Sequence, residues 1–100
     1  MMKLASLLLL ARLAGPHDTC TVVVNVQPGS APVKNINLYL DNRLIAQSAD
    51  ANELRYVIRL QEWTLGNHFV GATAIDYGGL VGISQAQFKI TKIKSERFCQ

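Results

Sequence analysis

The sequence predicts an all-β fold, a small antiparallel β-sandwich of six to seven strands preceded by a short apolar N-terminal segment. Between Asn37 and Ser84, apolar and polar residues alternate in runs that turn-forming residues separate, and no helical period of apolar residues appears after residue 15. One hundred residues suffice for one domain. The composition, 49% apolar against 17% charged, is that of a folded chain and excludes disorder as the default.

Each predicted strand is an alternating or β-branched run with turn residues at its ends. The first run is rich in valine and threonine and lies between prolines, which favours a strand. Further on, Asp41 and Asn42 form a good tight-turn pair, because both side chains tolerate left-handed backbone. In the fourth run Arg55 and Arg59 alternate with apolar residues, so we expect one face of that strand to be solvated. The predicted strands are, in order, residues 19–26, 33–40, 44–47, 54–60, 68–77 and 80–91.

The N-terminal segment has a charged start at Lys3 and an apolar block up to Ala14. As a helix it would span only about 20 Å, less than the roughly 30 Å of a bilayer core, so we expect no stable transmembrane span. Two interpretations stay open. Residues 1–18 are either a signal peptide cleaved after Ala14, against which Arg12 counts, or a retained apolar N-terminal arm. The sandwich domain is then residues 19–100.

The net charge of +3 is concentrated at the two ends of the chain. Without Lys3 and Arg12 the same count leaves +1, because ten basic residues become eight against seven acidic ones. A domain with so little charge has no broad positive field, so we expect no nucleic-acid partner. A basic group near the C-terminus is expected to be a solvated strand end: Lys89, Lys92, Lys94 and Arg97.

The chain has two cysteines, Cys20 and Cys99. A metal site would need more cysteine or histidine nearby, and His17 alone does not complete one, so we expect no metal. If the chain is exported, we expect Cys20 and Cys99 to form a disulfide that ties the first strand to the C-terminal tail. The alternative is two reduced thiols in a cytosolic protein. A secreted or cell-surface location is therefore expected together with the disulfide.

Two stretches carry a resemblance to a known family. Residues 38–45 read Leu-Tyr-Leu-Asp-Asn-Arg-Leu-Ile, and residues 65–79 open with Leu-Gly-Asn-His and close with Ala-Ile-Asp-Tyr-Gly-Gly. Together they resemble the bacterial immunoglobulin-like (fibronectin-III-like) β-sandwich modules found beside surface proteins and secreted glycosidases. The resemblance implies an immunoglobulin-like sandwich without catalytic activity. Asn42 departs from it, since it replaces the usual turn glycine.

The resemblance also implies that the opening strand of the sandwich is missing, because the run at residues 19–26 matches the second strand of the family. A missing strand leaves unpaired backbone groups at a sheet edge. Three occupants of that edge stay open: residues 1–18 of the chain itself, an extended segment of a neighbouring chain, or water.

The sequence contains no recognisable catalytic constellation, and we expect neither catalysis nor a cofactor. His17 and His68 lie far apart in sequence, and His68 begins a strand, where a structural hydrogen-bonding role is expected. The seven carboxylates are scattered and form no calcium loop; Asp41 and Asp76 are expected to bind backbone donors in their own turns. There is no nucleophile elbow and no phosphate-binding glycine loop before a helix.

Four aromatic residues are candidates for a flat sugar-stacking platform: Trp63, Tyr39, Tyr56 and Tyr77. Three of them, Tyr77, Trp63 and Tyr39, are also the candidates for partner contact. The alternative for Trp63 is that it closes the open end of the sandwich, as the aromatic residue at this place does in the family that the chain resembles. Tyr39 is expected to be half exposed. Tyr77, at a hairpin tip beside two glycines, is expected to be the most exposed aromatic and the best single candidate for partner contact.

The function expected from these observations is a non-catalytic immunoglobulin-like interaction or structural module of an exported or surface-associated protein. The first alternative is a structural subunit of an assembly, such as a virion, filament or surface layer, with a retained N-terminal arm. The second alternative is a carbohydrate-binding accessory module. A protein partner or self-assembly is expected first, and carbohydrate second.

Overall fold

The computed structural model describes residues 17–100 and the backbone of residues 7–12. The strands are β1 (Leu7–Arg12), β2 (Thr19–Val26), β3 (Val33–Leu40), β4 (Arg43–Ala49), β5 (Glu53–Arg59), β6 (Gly66–Asp76), β7 (Val81–Ile93) and β8 (Glu96–Cys99). A 3-10 helix, Leu60–Glu62, lies between β5 and β6. The strands form an antiparallel three-stranded sheet, in the order β1-β2-β5, and an antiparallel five-stranded sheet, in the order β4-β3-β6-β7-β8. The predicted all-β sandwich is confirmed.

The predicted strand bounds hold best where composition marks both ends. β2 and β3 begin and end as predicted, whereas β4, β5, β6 and β7 differ by one or two residues at their ends. Gly66, predicted as part of a turn, pairs with Ile90 and begins β6 with a φ of +107° that favours glycine. β8 escaped prediction because its four residues, Glu96–Cys99, carry no alternation.

An opening strand is present, and the prediction that it is missing is wrong for this structure. β1 pairs with β2 in antiparallel register from Leu7 opposite Val26 to Arg12 opposite Thr21. Of the three occupants that the sequence leaves open for this edge, the chain's own N-terminal segment takes the place. Residues 1–6 and 13–16, and with them the predicted cleavage site after Ala14, lie outside the described residues.

The core lies between the two sheets and consists of aliphatic side chains from both. Full burial of such a side chain stabilises the fold by roughly 1.5–3 kcal/mol. In β6 the inward positions Ala72 and Ala74 are small, which lets the opposite sheet approach closely. The largest fully buried side chains of the core are Ile36, Leu38, Leu40, Ile58, Leu60, Ile90, Val22, Val24 and Val70.

A disulfide joins the two sheets. Cys20 of β2 and Cys99 of β8 are bonded, with their Cα atoms 6.0 Å apart, although the two residues are 79 positions apart in sequence. Both cysteines are buried. The predicted pairing is therefore confirmed, and the bond fastens the last strand of the five-stranded sheet to the three-stranded sheet.

Hydrogen bonds to Arg97 reinforce the same corner. The backbone amide of Arg97 donates to Asp18 Oδ1 (2.9 Å), and the amide of Asp18 donates to the Arg97 carbonyl (2.8 Å). The Arg97 guanidinium donates to the carbonyl oxygens of Leu60 (3.1 Å) and Trp63 (2.6 Å). The expected solvated basic end is correct for the exposed side chains Lys89, Lys92 and Lys94 and wrong for Arg97, which is half-buried because it binds these carbonyls.

Candidate functional site

The four aromatic residues considered for a sugar platform lie at separate places. Trp63 precedes β6 and Tyr77 follows it, and the 11 residues of β6 place them at opposite ends of the sandwich, about 30 Å apart. Tyr39 lies on β3 of the five-stranded sheet, and Tyr56 lies on β5 of the other sheet, packed against the core. The structure does not bring the four rings together, so the platform proposed from composition is not formed.

Trp63 closes one end of the sandwich, as its alternative interpretation expects. It packs against the core, and its ring meets His68 edge-on at a centroid distance of 6.1 Å. The guanidinium of Arg43 lies 5.5 Å from the centre of the same ring, within cation–π range. Because the core, His68 and Arg43 all contact the Trp63 ring, the ring is part of the packing at this end of the sandwich.

His68 is a buried structural histidine, as expected. Its Nε2 donates to the Thr64 carbonyl (2.6 Å) and its Nδ1 hydrogen-bonds Asp41 Oδ2 (2.5 Å), so the arrangement requires protonated nitrogens on both sides of the ring. Burial opposes the charge, but the hydrogen bonds to Asp41 and Thr64 outweigh it and raise the pKa of His68 above its ordinary value. Asp41 Oδ1 also accepts a hydrogen bond from the backbone amide of Phe69. The Asp41 carboxylate therefore links the β3–β4 turn to β6, whereas the sequence predicted that it binds backbone donors of its own turn.

Tyr77 is exposed, but its hydroxyl is engaged locally. The hydroxyl donates to Asp50 Oδ1, and this hydrogen bond is the main cause that raises the pKa of Tyr77. The ammonium of Lys34 lies 5.9 Å from the centre of the ring. Phe69 is as exposed as Tyr77, at 59% against 58%, so the expectation that Tyr77 is the most exposed aromatic is wrong.

On the outer surface of the five-stranded sheet, the central positions of four adjacent strands carry no charged residue, and the Asp41 carboxylate in the β3–β4 turn borders them at Phe69. We call this set of positions the uncharged face. It comprises the outward-facing positions of β4, β3, β6 and β7, from the cross-strand pair Phe69–Gln87 at one end to the pair Asn35–Ile75 at the other. Its residues are Leu44, Gln47 and Ala49 on β4, Asn35, Asn37 and Tyr39 on β3, Phe69, Gly71, Thr73 and Ile75 on β6, and Val81, Ile83, Gln85 and Gln87 on β7.

The outer surface of the other sheet differs in charge. On β5 the exposed positions are Glu53, Arg55, Val57 and Arg59, and the Arg55 guanidinium binds Glu53 at 2.8 Å. Charged side chains of this kind keep a sheet surface in water, because burying an ion is costly unless it is paired. The two outer surfaces are thus chemically distinct, and the uncharged face is the one that a partner can cover at low desolvation cost.

Four large apolar side chains are exposed on the uncharged face: Leu44 on β4 and three more on β6 and β7. Ile83, Phe69 and Val81 are the most exposed of them, at 69%, 59% and 57%. Ile83 and Val81 are alternate residues of β7, and Phe69 lies on the neighbouring strand β6. Exposed apolar side chains that share one face mark interaction sites more often than isolated ones do.

A row of side-chain hydrogen bonds crosses the same face. Asn37 Oδ1 accepts from Asn35 Nδ2 (3.0 Å) and from Gln47 Nε2 (2.9 Å), and Asn37 Nδ2 donates to Thr73 Oγ1 (3.3 Å). These bonds connect β4, β3 and β6 and hold the amide groups in fixed orientations. The polar part of the uncharged face is therefore ordered before any partner binds.

A groove of about 160 Å³ lies on the uncharged face over Gly71. Gly71 is paired with Tyr39 on β3 and with Gln85 on β7, and these two residues flank it. Phe69 and Thr73 lie two residues before and after Gly71 on β6. Further lining comes from Asn42, Val70, Ala72, Ile83 and Ser84. Of the residues proposed from the sequence for partner contact, Tyr39 is the one that lines this groove.

Phe69, Gly71 and Ile83 were not identified as site residues from the sequence. Alternation correctly puts Phe69, Gly71, Thr73 and Ile75 on one face of β6, but it does not say which face is outside. The structure buries the other one, with Val70 and the two alanines. The sequence signal for this site was a phenylalanine followed two residues later by a glycine on the same face of β6. Without the cross-strand register, this signal does not show that the two residues line an outer groove.

Within the described residues, no group of three or more histidine, cysteine, aspartate or glutamate side chains could hold a metal ion. That same part of the chain has no helix with the length and apolarity that crossing a membrane requires.

Comparison with known proteins bears on the fold. No protein-family model matches the chain, and no curated protein matches it. Among solved structures, the chain is similar to a fibronectin(III)-like module of CbhA from Clostridium thermocellum. The two share 13% identity, with a TM-score of 0.55, over 78% of this chain and 92% of that one.

A second similar structure is the spore cortex lytic enzyme SleM of Clostridium perfringens, with 14% identity and a TM-score of 0.59 over 89% of this chain. The match spans only 29% of the SleM chain, so it concerns one part of that protein. At such identities the likeness shows the fold alone. The chain has an immunoglobulin-like, fibronectin-III-like β-sandwich fold.

Proposed function

We propose that this fibronectin-III-like sandwich is a non-catalytic interaction module of an exported or surface-associated protein, and that it binds its partner through the uncharged face. One observation carries the proposal: four adjacent strands present aromatic, aliphatic and amide side chains and no charge, while β5 on the opposite surface is charged. The centres of protein interfaces are depleted of charged residues in the same way.

The disulfide supports the exported location. Disulfides persist in oxidising compartments and are rare in the cytosol, where thiols are kept reduced. The Cys20–Cys99 bond is buried and closes nearly the whole domain, which suits a small chain that works outside the cell.

The engagement of the reactive side chains supports a non-catalytic role. Both ring nitrogens of His68 are hydrogen-bonded within the fold, so neither is available as a general base. Both cysteines are used in the disulfide. Similar structures are consistent with this role, because one is a fibronectin(III)-like module and the other match covers a fraction of a larger chain. A shared fold does not by itself assign a function.

Binding measurements with two matched lysine variants test the proposal. The full-length chain is assayed against immobilised peptides and glycans, together with Ile83→Lys on the uncharged face and Val57→Lys on the opposite sheet. Both side chains are exposed, Ile83 at 69% and Val57 at 53%, so both variants should fold. We expect Ile83→Lys to weaken binding at least about tenfold, because a bound partner would bury the new charge.

Val57→Lys is expected to bind like the unmodified chain. Equal binding by the two variants, or weaker binding by Val57→Lys alone, would place the partner elsewhere and contradict the proposal. An unmodified chain that binds none of the immobilised peptides and glycans would contradict it as well.

A second candidate function is that of a structural subunit whose N-terminal arm contacts a neighbouring copy. β1 favours it, because this strand lies at the edge of its sheet and, within the described residues, pairs with no strand other than β2. An edge strand near a chain terminus can be exchanged between copies, which produces dimers or longer assemblies.

Size-exclusion chromatography with light scattering on the full-length chain and on a chain lacking residues 1–14 separates the two candidates. The interaction-module proposal expects a monomer of 11.0 kDa from the full-length chain, with β1 paired within its own molecule. An assembly subunit would form a dimer or larger species that deletion of residues 1–14 abolishes. That outcome would favour the second candidate over the first.

A further inference from the structure

The glycine at the floor of the groove has no explanation in the fold. Glycine weakens a strand interior, yet Gly71 lies in the middle of β6 with extended backbone outside the positive-φ region. A Cβ atom built on it would meet Gln85 Cγ and the Ser84 carbonyl oxygen at 3.8 Å each, which is ordinary contact. Neither backbone nor packing requires glycine at this position. What its missing side chain provides is the space of the groove.

The groove combines aromatic walls with neutral polar groups. Tyr39 and Phe69 contribute rings, and Phe69 is well exposed. Asn42 and Gln85 contribute amides, which both donate and accept hydrogen bonds, and Thr73 contributes a hydroxyl. No charged residue lines the groove. A ligand that fits this chemistry is uncharged, has flat apolar faces and carries hydroxyl groups at its edges.

The position of the groove within the sheet argues against an extended peptide as its ligand. Peptides that bind sheets by main-chain hydrogen bonds add a strand at an open edge. β6 is paired on both sides, with β3 and with β7, so its backbone groups are already used. A ligand over Gly71 must therefore be held by side chains alone. Sugar rings meet this condition, because their C–H faces pack on aromatic rings and their hydroxyls bind amides.

We propose that the groove over Gly71 is a binding site for a neutral oligosaccharide, with one sugar ring held against Tyr39 and Phe69. The side chains of Asn42, Gln85 and Thr73 bind its hydroxyls. The ordered amide row of Asn35, Asn37 and Gln47 lies beside the groove and offers hydrogen bonds to a second sugar ring. This assignment rests on the proposed function, since it names the ligand class of the uncharged face.

Isothermal titration calorimetry on the full-length chain tests the assignment with three probes. Cellohexaose and the hexamer of N-acetylglucosamine are neutral, and a hexamer of galacturonic acid is the charged comparison. We expect at least one neutral hexasaccharide to bind and the acidic one to bind more weakly. Binding of neither neutral probe, or stronger binding of the acidic one, would overturn the assignment.

Four variants locate the site. Gly71→Val fills the floor of the groove, and Tyr39→Ala and Phe69→Ala each remove one aromatic wall. Val57→Ala on the opposite sheet is the matched control. We expect the three groove variants to weaken binding at least about tenfold and the control to bind normally. Because Phe69 is largely exposed, Phe69→Ala keeps the test decisive if Gly71→Val does not fold. Unchanged binding by folded groove variants would overturn the assignment.

Failure of the glycan assignment is distinguishable from failure of the proposed function. If neither neutral hexasaccharide binds but an immobilised peptide binds and Ile83→Lys weakens that binding, the uncharged face is an interaction surface for protein and the glycan assignment is wrong. If no probe binds the uncharged face, both are wrong.

Discussion

Replacing Cys20 and Cys99 together by alanine is expected to lower the free energy of unfolding by about 4 kcal/mol. The disulfide joins residues 79 positions apart. On the chain-entropy model, closing a loop of that length lowers the entropy of the unfolded chain and so stabilises the fold by about 4 kcal/mol. A domain of this size is typically stable by about 5–15 kcal/mol, so the loss is a large part of the total. The effect should fall on β8, a four-residue edge strand that the bond fastens to β2.

Denaturant unfolding of the oxidised chain, the reduced chain and the double alanine variant measures the effect. Reduction and double substitution should give the same destabilisation, because both remove the same cross-link. A single substitution of the exposed Val57 by alanine is the control and should leave the unfolding midpoint unchanged. Midpoints that agree between oxidised and reduced chains would show that the bond does not stabilise the domain, contrary to expectation.

Replacing His68 by leucine is expected to lower the free energy of unfolding by about 2 kcal/mol and to remove a pH dependence. The side chain of His68 is buried, at 4% exposure, and its loss leaves the Thr64 carbonyl and an Asp41 oxygen without their donor. The ring also stacks on Phe88 at a centroid distance of 5.6 Å, which leucine reproduces only in part. The Asp41 side chain is 36% exposed, so water can solvate the carboxylate that is left, and the loss is smaller than for a fully buried charged pair.

The direction of the pH dependence follows from the raised pKa of His68. A group whose pKa is higher in the folded than in the unfolded state stabilises the fold fully below its unfolded pKa, here about 6.5. That stabilisation is lost as the pH rises through the higher folded-state pKa. Thermal unfolding between about pH 5 and 9 should therefore show the unmodified chain losing stability above pH 6.5 in this window.

Two variants check that His68 is the group responsible. His68→Leu should lose this part of the pH dependence. His17→Gln is the matched control and should keep it, because it leaves the His68–Asp41 pair intact: His17 is 44% exposed and contacts Asp18 and Glu96 instead. A pH profile that is the same in the unmodified chain and in His68→Leu would assign the titration to another group.

The strands were predictable where local composition marks them, and the two remaining strands depend on contacts that are distant in sequence. β2 and β3 are bounded by prolines and turn residues, so their ends were correct. β8 exists because Cys99 pairs with Ile90 and Ile93 with Glu96 across a turn, and its own four residues show no pattern. The leucine-rich run of β1 is compatible with a signal segment, an arm or a strand, and only its pairing with β2 reveals the strand.

The candidate site was predictable in chemistry but not in place. The sequence directed attention to Trp63 and Tyr77 because aromatic rings in loops are common contact residues, yet local partners occupy both of them. The groove required three strands to be aligned side by side, with Tyr39, Gly71 and Gln85 in one row. Alternation within a strand gives the members of a face, and only cross-strand register assembles faces into a surface.

Chemical-shift mapping on the ¹⁵N-labelled full-length chain tests directly whether the uncharged face is the binding surface. The chain is titrated with cellohexaose, with the N-acetylglucosamine hexamer and with the free form of any peptide that it binds in the immobilised assay. We predict that the largest amide shifts fall on β3, β6 and β7 around Tyr39, Gly71 and Gln85. Shifts confined to β5 or to the loop of Trp63, or no shift with any of these ligands, would contradict the assignment of this face.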